Sequence, residues 1–138
     1  MNNEKEVGRA AKNQKQKKKI LLVDNEKSFC LVVKINLEAT GEYEVKTETE
    51  GLNALRTAQE FKPDLLLMDM IMPGIRGADL ARQIKLDPAL QKTPVIFLTA
   101  TVMQEEAVKE AERGNGSLLA KPISVDKLLE CIRRHVPN

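Results

Sequence analysis

Residues 64–74 read Asp-Leu-Leu-Leu-Met-Asp-Met-Ile-Met-Pro-Gly. The apolar run Leu65–Met68 is continuous, which is typical of a strand that is buried on both faces of a parallel sheet. Asp69 follows the run directly, and the Pro73-Gly74 pair favours a turn soon afterwards. This segment therefore predicts a central strand whose end carries a carboxylate to one edge of a sheet.

Three further apolar runs end in the same way, with a polar or charged residue at the strand end. They stop at Val23 before Asp24-Asn25, at Leu98 before Thr99, and at Ala120 before Lys121. A short alternating segment, Tyr43–Thr47, predicts one more strand, nearer the edge of the sheet. Strands that alternate with helices predict an α/β fold with a parallel sheet covered on both faces.

Between the strands, apolar residues recur at helical spacing and predict five helices. These helices contain residues 29–37, 52–61, 80–84, 107–111 and 128–132. Gly41 and Pro63 end the first two helices. Ser124 is a good amino-terminal cap for the last one.

Parallel strands present their carboxyl ends at the same edge of the sheet, and ligands bind in the crevice there. The polar residues at the strand ends should therefore converge on one crevice. They are Asp24, Asn25, Asp69, Thr99 and Lys121. Carboxylates with an amide oxygen suit a hard cation such as Mg²⁺, which needs few protein ligands. A hydroxyl and an ammonium group suit the oxygens of a phosphoryl group.

At these residues the chain resembles the response regulator receiver family, the CheY-like phosphoacceptor domains of two-component signalling. The most specific part is residues 64–74, joined by the Thr99 strand end and the Lys121-Pro122 pair. The resemblance runs from Lys19 to Val136. It implies a flavodoxin-like, doubly wound sheet of five parallel strands in the order 2-1-3-4-5, with five helices.

The resemblance also implies a role for each site residue. Asp69 would be the phosphoacceptor, attacking the phosphorus of a phosphohistidine on a sensor histidine kinase or a histidine phosphotransfer protein. Thr99 would hydrogen-bond the phosphoryl group, and Lys121 would pair with one of its oxygens. Mg²⁺ would be the cofactor, and its ligands would be Asp24, Asn25, Asp69 and the backbone carbonyl of Ile71. The domain would catalyse only its own phosphorylation and dephosphorylation.

Four more residues would tune or transmit the signal by the same resemblance. They are Ala100, Thr101, Leu118 and Pro122, the last in a cis peptide bond with Lys121. Small Ala100 would leave the phosphoryl face open, while Thr101 and Ile71 would flank the path of attack. The fourth helix, fifth strand and fifth helix, with residues 102–113 and 127–134, would meet a downstream partner or a second copy.

Two departures from the family pattern leave an alternative open. Asn25 stands where a carboxylate usually ligates Mg²⁺, and Leu118 stands where an aromatic switch residue is usual. The alternative is a degenerate receiver that acts as a phosphorylation-independent interaction module. A phosphatase of the haloacid dehalogenase type is disfavoured, because it requires a second Asp two residues after the nucleophile, where this chain has Ile71.

Charge marks the one predicted boundary in the chain of 138 residues. Residues 1–19 hold seven Lys or Arg and two Glu among mostly polar residues, which predicts a disordered basic arm. Residues 20–138 form the predicted receiver domain. The arm could touch nucleic acid or an anionic surface, although a solubilising leader without a partner is the simpler interpretation.

Composition argues against several other classes of protein. Aromatic residues make up 3% of the chain, which is too few for a surface that stacks nucleic-acid bases. No apolar run approaches the roughly 20 residues of a membrane span. Cys30 and Cys131 fit no metal-binding spacing and are predicted to be reduced, buried thiols of a cytoplasmic protein. The sequence leaves open whether the regulator stands alone or belongs to a longer protein.

Overall fold

A computed structural model describes residues 16–99 and 117–137 of the chain. The described elements are β1 (Lys18–Val23), α1 (Lys27–Glu38), β2 (Tyr43–Glu48), α2 (Ala54–Phe61), β3 (Leu65–Asp69), β4 (Ile71–Met72), β5 (Ile75–Arg76), α3 (Gly77–Lys85), β6 (Val95–Thr99), β7 (Ser117–Ala120) and α4 (Val125–His135). A single 3-10 turn over Gly51–Asn53 precedes α2. The fourth predicted helix, over residues 107–111, lies outside the described residues.

Five strands form one parallel sheet in the order β2-β1-β3-β6-β7. When the two-residue strands β4 and β5 are set aside, this is the predicted order 2-1-3-4-5, and the predicted fold class is confirmed. β2 lies at the sheet edge, as its alternating sequence predicts. The strand order reverses between β1 and β3, so the ligand crevice of such a sheet lies at their carboxyl ends.

The central strands are apolar throughout because helices cover both faces of the sheet. Along β1, Ile20 and Leu22 belong to one buried apolar layer, which also contains residues of α1 and α4. Leu21 and Val23 belong to the opposite layer, with residues of α2 and α3. These four side chains have 0% exposed surface. Full burial of each such side chain stabilises the fold by about 1.5–3 kcal/mol.

The amino-terminal boundary of the domain differs slightly from its prediction. β1 begins at Lys18, so Lys18 and Lys19 belong to the sheet and not to the arm. The Lys18 amide donates to the carbonyl of Glu42 at 3.1 Å, and the Lys19 amide donates to Asp64 Oδ2 at 2.8 Å. The disorder of the preceding residues stays a prediction.

Two residues that mark the helical periodicity lie outside the core. Val32 in α1 is 56% exposed, and Leu52 in the 3-10 turn is 72% exposed. The apolar spacing correctly predicts where the helices lie. Because each helix packs only one face against the sheet, an apolar residue on another face, such as Val32, stays exposed to solvent. Leu52 instead lies over the turn after β4, where a Cβ atom at Gly74 would come within 3.2 Å of its Cδ1.

Two smaller predictions are confirmed. Ser124 caps α4, because its Oγ accepts a hydrogen bond from the Lys127 amide at 3.1 Å. Cys30 and Cys131 are both free and buried. Among residues 16–99 and 117–137, no helix has the length and apolar character needed to cross a membrane.

Candidate functional site

The carboxyl ends of the strands bring the predicted site residues to one edge of the sheet. Asp69 and Thr99 are the last residues of β3 and β6, while Asp24 and Lys121 directly follow β1 and β7. The Lys121 amide donates to the Thr99 carbonyl at 2.7 Å, which fixes the two strand ends relative to each other. Parallel register therefore gathers residues that are distant in the sequence.

The Lys121 ammonium group holds the site together. Its Nζ lies 2.6 Å from Asp24 Oδ2 and 3.8 Å from Asp69 Oδ2. The same atom lies 3.1 Å from Glu26 Oε1 and 4.2 Å from the centre of the Phe29 ring. One cation thus meets three carboxylates and an aromatic face, which attracts cations through its quadrupole.

The two aspartates are buried although they are charged. In the described part of the chain, the buried polar or charged residues are Asp24, Asp69 and Thr99. A buried carboxylate is costly unless it is paired and hydrogen-bonded. Asp24 Oδ1 accepts from the Glu26 amide at 2.9 Å, and Asp69 Oδ1 accepts from the Ile71 amide at 3.2 Å. Each Oδ1 is thus held by the backbone, and each Oδ2 faces the same ammonium group.

Burial raises the pKa of the Asp69 carboxyl, because it disfavours the charged form, and the nearby Asp24 carboxylate adds to the effect. The Ile71 amide and the Lys121 ammonium offset it only in part. Burial alone would lower the pKa of Lys121, but its hydrogen bonds with Asp24 and Glu26 outweigh burial and raise it. Lys121 is therefore a permanent cation, and Asp69 is a more basic carboxylate than usual.

The structure describes four of the other predicted site residues. Asn25 is exposed beside Asp24, and Ile71 is 75% exposed beside Asp69. The predicted cis peptide bond between Lys121 and Pro122 is present. Leu118, in β7, is half-buried against the apolar layer of α2 and α3. Ala100 and Thr101 lie outside the described residues.

Three residues outside the predicted set of metal ligands and catalytic residues also shape the site. Glu26 and Phe29 contact Lys121, as described above. A Cβ atom on Gly77, the first residue of α3, would lie 2.3 Å from the carbonyl oxygen of Asp69. The sequence itself marks Glu26, because a carboxylate directly after Asp24-Asn25 can offset in part the charge that Asn25 lacks. The closeness of Gly77 to β3 depends on the tertiary fold.

The donor set at this edge fits a hard divalent cation. Two carboxylates, the amide oxygen of Asn25 and the backbone carbonyl of Ile71 are all oxygen donors, which Mg²⁺ prefers. Within the described ranges, no group of three Asp, Glu, His or Cys side chains is arranged to hold a metal ion. Mg²⁺ does not require such a group, because it usually keeps several waters and binds through one or two carboxylates.

Comparison with known proteins agrees with this fold. Residues 20–133 match the family described as the response regulator receiver domain. PhoB, the phosphate regulon transcriptional regulatory protein of Rhizobium meliloti, is 34% identical over 115 residues, or 83% of this chain and 50% of PhoB. The polar-differentiation response regulator DivK of Brucella anthropi is 32% identical over 119 residues, or 86% of this chain and 96% of DivK. The chemotaxis protein CheY4 of Vibrio cholerae has a TM-score of 0.81 and 28% identity, with coverage of 88% of this chain and 100% of that chain.

The five-stranded parallel sheet in this order, with helices on both faces, is the fold of a signalling receiver module. The chain belongs to the response regulator receiver family of two-component signalling. It spans about half the length of PhoB (50%) and nearly all of DivK (96%). Members of this family are signalling modules and not conventional enzymes.

Proposed function

We propose that this receiver accepts a phosphoryl group on Asp69 in a Mg²⁺-dependent transfer from a phosphohistidine donor, and that the modification switches a partner-binding surface. The position of Lys121 carries the proposal. Its ammonium group lies against the Oδ2 atoms of both Asp24 and Asp69, and a cation placed there can neutralise the oxygens of a transferring phosphoryl group.

Asp69 Oδ2 is the proposed nucleophile, because Oδ1 already accepts the Ile71 amide. Oδ2 forms a bond to phosphorus as the bond from phosphorus to the donor imidazole nitrogen breaks, and the imidazole leaves with that electron pair. Lys121 then pairs with a phosphoryl oxygen, and the Thr99 hydroxyl donates to another. Water later attacks the same phosphorus, the bond from phosphorus to Asp69 Oδ2 breaks, and inorganic phosphate leaves as the carboxylate is restored.

Mg²⁺, when bound, supplies positive charge against the phosphoryl oxygens during transfer. The proposed ligands are the Asp24 and Asp69 carboxylates, the Asn25 amide oxygen and the backbone carbonyl of Ile71. Ala100 and Thr101 remain proposed tuning residues, and the exposed side chain of Ile71 is proposed to hinder organised water beside the phosphoryl group.

Intact-mass spectrometry after incubation with acetyl phosphate tests the proposal. The unaltered chain should gain one phosphoryl group with Mg²⁺ and none in EDTA, and Asp69→Asn should gain none under either condition. Asp126→Asn removes an exposed carboxylate from α4 and serves as the matched control, with uptake like that of the unaltered chain. Failure of the unaltered chain to gain a phosphoryl group at high Mg²⁺ would contradict the proposal.

That negative result would favour the second candidate, a degenerate receiver that binds partners without phosphorylation. Two observations support keeping this candidate. Asn25 brings no charge to the cation site, and the ammonium group of Lys121 already pairs with Asp24. Partner binding separates the two candidates further, because a degenerate receiver would bind its partners equally well with Asp69→Asn.

The proposed donor is a sensor histidine kinase or a histidine phosphotransfer protein in the cytoplasm. The proposed output surface includes residues 127–134 of α4, together with residues 102–113, which lie outside the described ranges, and it would contact a downstream protein or a second copy. Contact of the basic arm with nucleic acid or an anionic surface also remains a proposal. Salt-sensitive binding that is lost on removal of residues 1–19 would support it.

A further inference from the structure

The Lys121 ammonium group does not balance the charge around it. Asp24, Asp69 and Glu26 place three carboxylates within 3.8 Å of one Nζ atom, at 2.6, 3.8 and 3.1 Å respectively. If all three are ionised, the charge of Lys121 offsets one of them, and these four groups together carry a net charge of −2. A single divalent cation would neutralise this net charge of −2. Without Glu26, the remaining groups Asp24, Asp69 and Lys121 would carry a net charge of only −1.

Asn25 cannot supply the missing charge, because its side chain is a neutral amide. Glu26 is the next residue, and its carboxylate extends from the same loop to the site while its side chain stays 59% exposed. The Glu26 amide also donates to Asp24 Oδ1 at 2.9 Å, so backbone and side chain both engage the site. The Phe29 ring, 4.2 Å from Lys121 Nζ, is a further contact of the ammonium group.

We infer that Glu26 replaces the charge that Asn25 lacks, and that cation binding at Asp24 and Asp69 depends on Glu26. Glu26 is a positioning residue that acts through its charge and its contact with Lys121, and it is not assigned as a ligand of the ion. The inference rests on the proposed function in one respect, since it concerns the same Mg²⁺ site.

Isothermal titration calorimetry with MgCl₂ at low ionic strength tests this inference. Glu26→Gln should weaken Mg²⁺ binding by about three- to tenfold, as expected for loss of a unit charge near a divalent ion in a partly solvated site. Glu44→Gln is the matched control. Glu44 is exposed on β2 and pairs in register with Lys19, at the opposite end of β1 from Asp24, so its loss should leave Mg²⁺ affinity unchanged.

A relocated charge distinguishes an electrostatic role from a structural one. Asn25→Asp combined with Glu26→Gln restores the total charge, and Mg²⁺ affinity should return to that of the unaltered chain or exceed it. Equal affinity of Glu26→Gln and the unaltered chain would overturn the inference. Three other results would also overturn the inference. Glu44→Gln could weaken Mg²⁺ binding as much as Glu26→Gln does, the double variant could fail to restore affinity, or the unaltered chain could bind no Mg²⁺.

Phosphoryl uptake from acetyl phosphate, measured on the same preparations, keeps this inference separate from the proposed function. If the unaltered chain takes up phosphoryl normally and Glu26→Gln does not change Mg²⁺ affinity, the inferred role of Glu26 is wrong. The proposed phosphoryl transfer to Asp69 would still stand. Absent uptake together with a Mg²⁺ affinity that depends on Glu26 would remove the function and support the role of Glu26.

Discussion

Asp24 and Lys121 form the most buried ion pair of the site. The Asp24 side chain is 0% exposed and that of Lys121 is 15% exposed, and their charged atoms lie 2.6 Å apart. Removal of one partner from such a pair leaves an uncompensated charge, which costs more stability than the intact pair contributes. The ammonium group therefore has a structural role in addition to the chemical role proposed for it.

Lys121→Met should lower the free energy of unfolding by about 2–3 kcal/mol at neutral pH without divalent cations, because Asp24 stays buried without this partner. Urea unfolding measures the loss. Lys127→Met is the control, since Lys127 is exposed on α4 and its loss should change stability by less than about 0.5 kcal/mol. Equal losses in the two variants would contradict a structural role for the ammonium group.

Lys121 stabilises the fold, whereas the ionised carboxylate of Asp69 destabilises it. Its pKa in the folded chain is raised by burial above the ordinary 3.8, so the folded state holds this proton more tightly than the unfolded chain does. Stability from this group is therefore greatest below pH 3.8 and is lost as the pH rises through the folded-state pKa. At pH 7 an ionised Asp69 destabilises the fold.

Asp69→Asn should accordingly raise the melting temperature at pH 7 in EDTA, and the gain should shrink as the pH falls toward 3.8. Thermal unfolding followed by circular dichroism over this pH range measures the effect. The exposed control Asp126→Asn should show no such gain. A gain for Asp69→Asn that does not change with pH would show that desolvation of the carboxylate is not its cause.

At the scale of elements, the junction of β3 with α3 fixes the position of Asp69. β4 and β5 pair as a hairpin across Pro73-Gly74, and Gly74 has a φ of 88°, as the third residue of a type II turn requires. The Gly77 amide then donates to the Met70 carbonyl at 2.8 Å. The start of α3 is thereby brought against the backbone of Asp69.

Gly77→Ala should disturb this junction, because the added Cβ would lie 2.3 Å from the Asp69 carbonyl oxygen and 2.9 Å from Met70 Cα, both backbone atoms. We expect a loss of about 1–3 kcal/mol in unfolding free energy, as for overpacked sites, and reduced phosphoryl uptake from acetyl phosphate. The two readouts are urea unfolding and intact mass.

Gly41→Ala is the matched control for this prediction. Gly41 has a φ of 77° but no heavy atom within 4 Å of an added Cβ. Its substitution should cost about 1–2 kcal/mol through the left-handed backbone alone and leave phosphoryl uptake unchanged. If Gly41→Ala reduced uptake as much as Gly77→Ala does, lost stability and not displacement of Asp69 would explain the effect.

The elements show what sequence could predict and what it could not. Apolar runs and helical spacing identify the strands and most helices, and parallel topology then implies that Asp24, Asp69 and Lys121 converge. The contact of Glu26 with Lys121 could not be predicted in this way, because periodicity does not determine where a half-exposed side chain points. The β4-β5 hairpin was missed for a related reason. Pro73-Gly74 predicts a turn, but two-residue strands carry no periodic signal.

At the scale of the whole molecule, the sheet separates two apolar layers, and both cysteines lie in the same one. Cys30 and Cys131 belong to the layer formed with α1 and α4, where they are 3% and 1% exposed. Burial, with the Asp24 carboxylate as the next contribution, raises the pKa of Cys30 to about 11. Burial also raises the pKa of Cys131. Both thiols should therefore be unreactive while the sheet and its helices stay packed.

Titration with a disulfide reagent at pH 8 tests this packing. In guanidinium chloride both thiols should react rapidly, whereas in the native chain neither should react on the same timescale. Only about 0.1% of Cys30 would be thiolate at this pH, for a pKa of about 11, and the thiolate is the reactive form. The slow reaction of the native chain should be faster in Lys121→Met. The reagent reaches the buried thiols only when the chain unfolds, and the lower free energy of unfolding of this variant raises its unfolded fraction. A fast-reacting native thiol would instead mean that the layer between the sheet and the helices α1 and α4 opens without global unfolding.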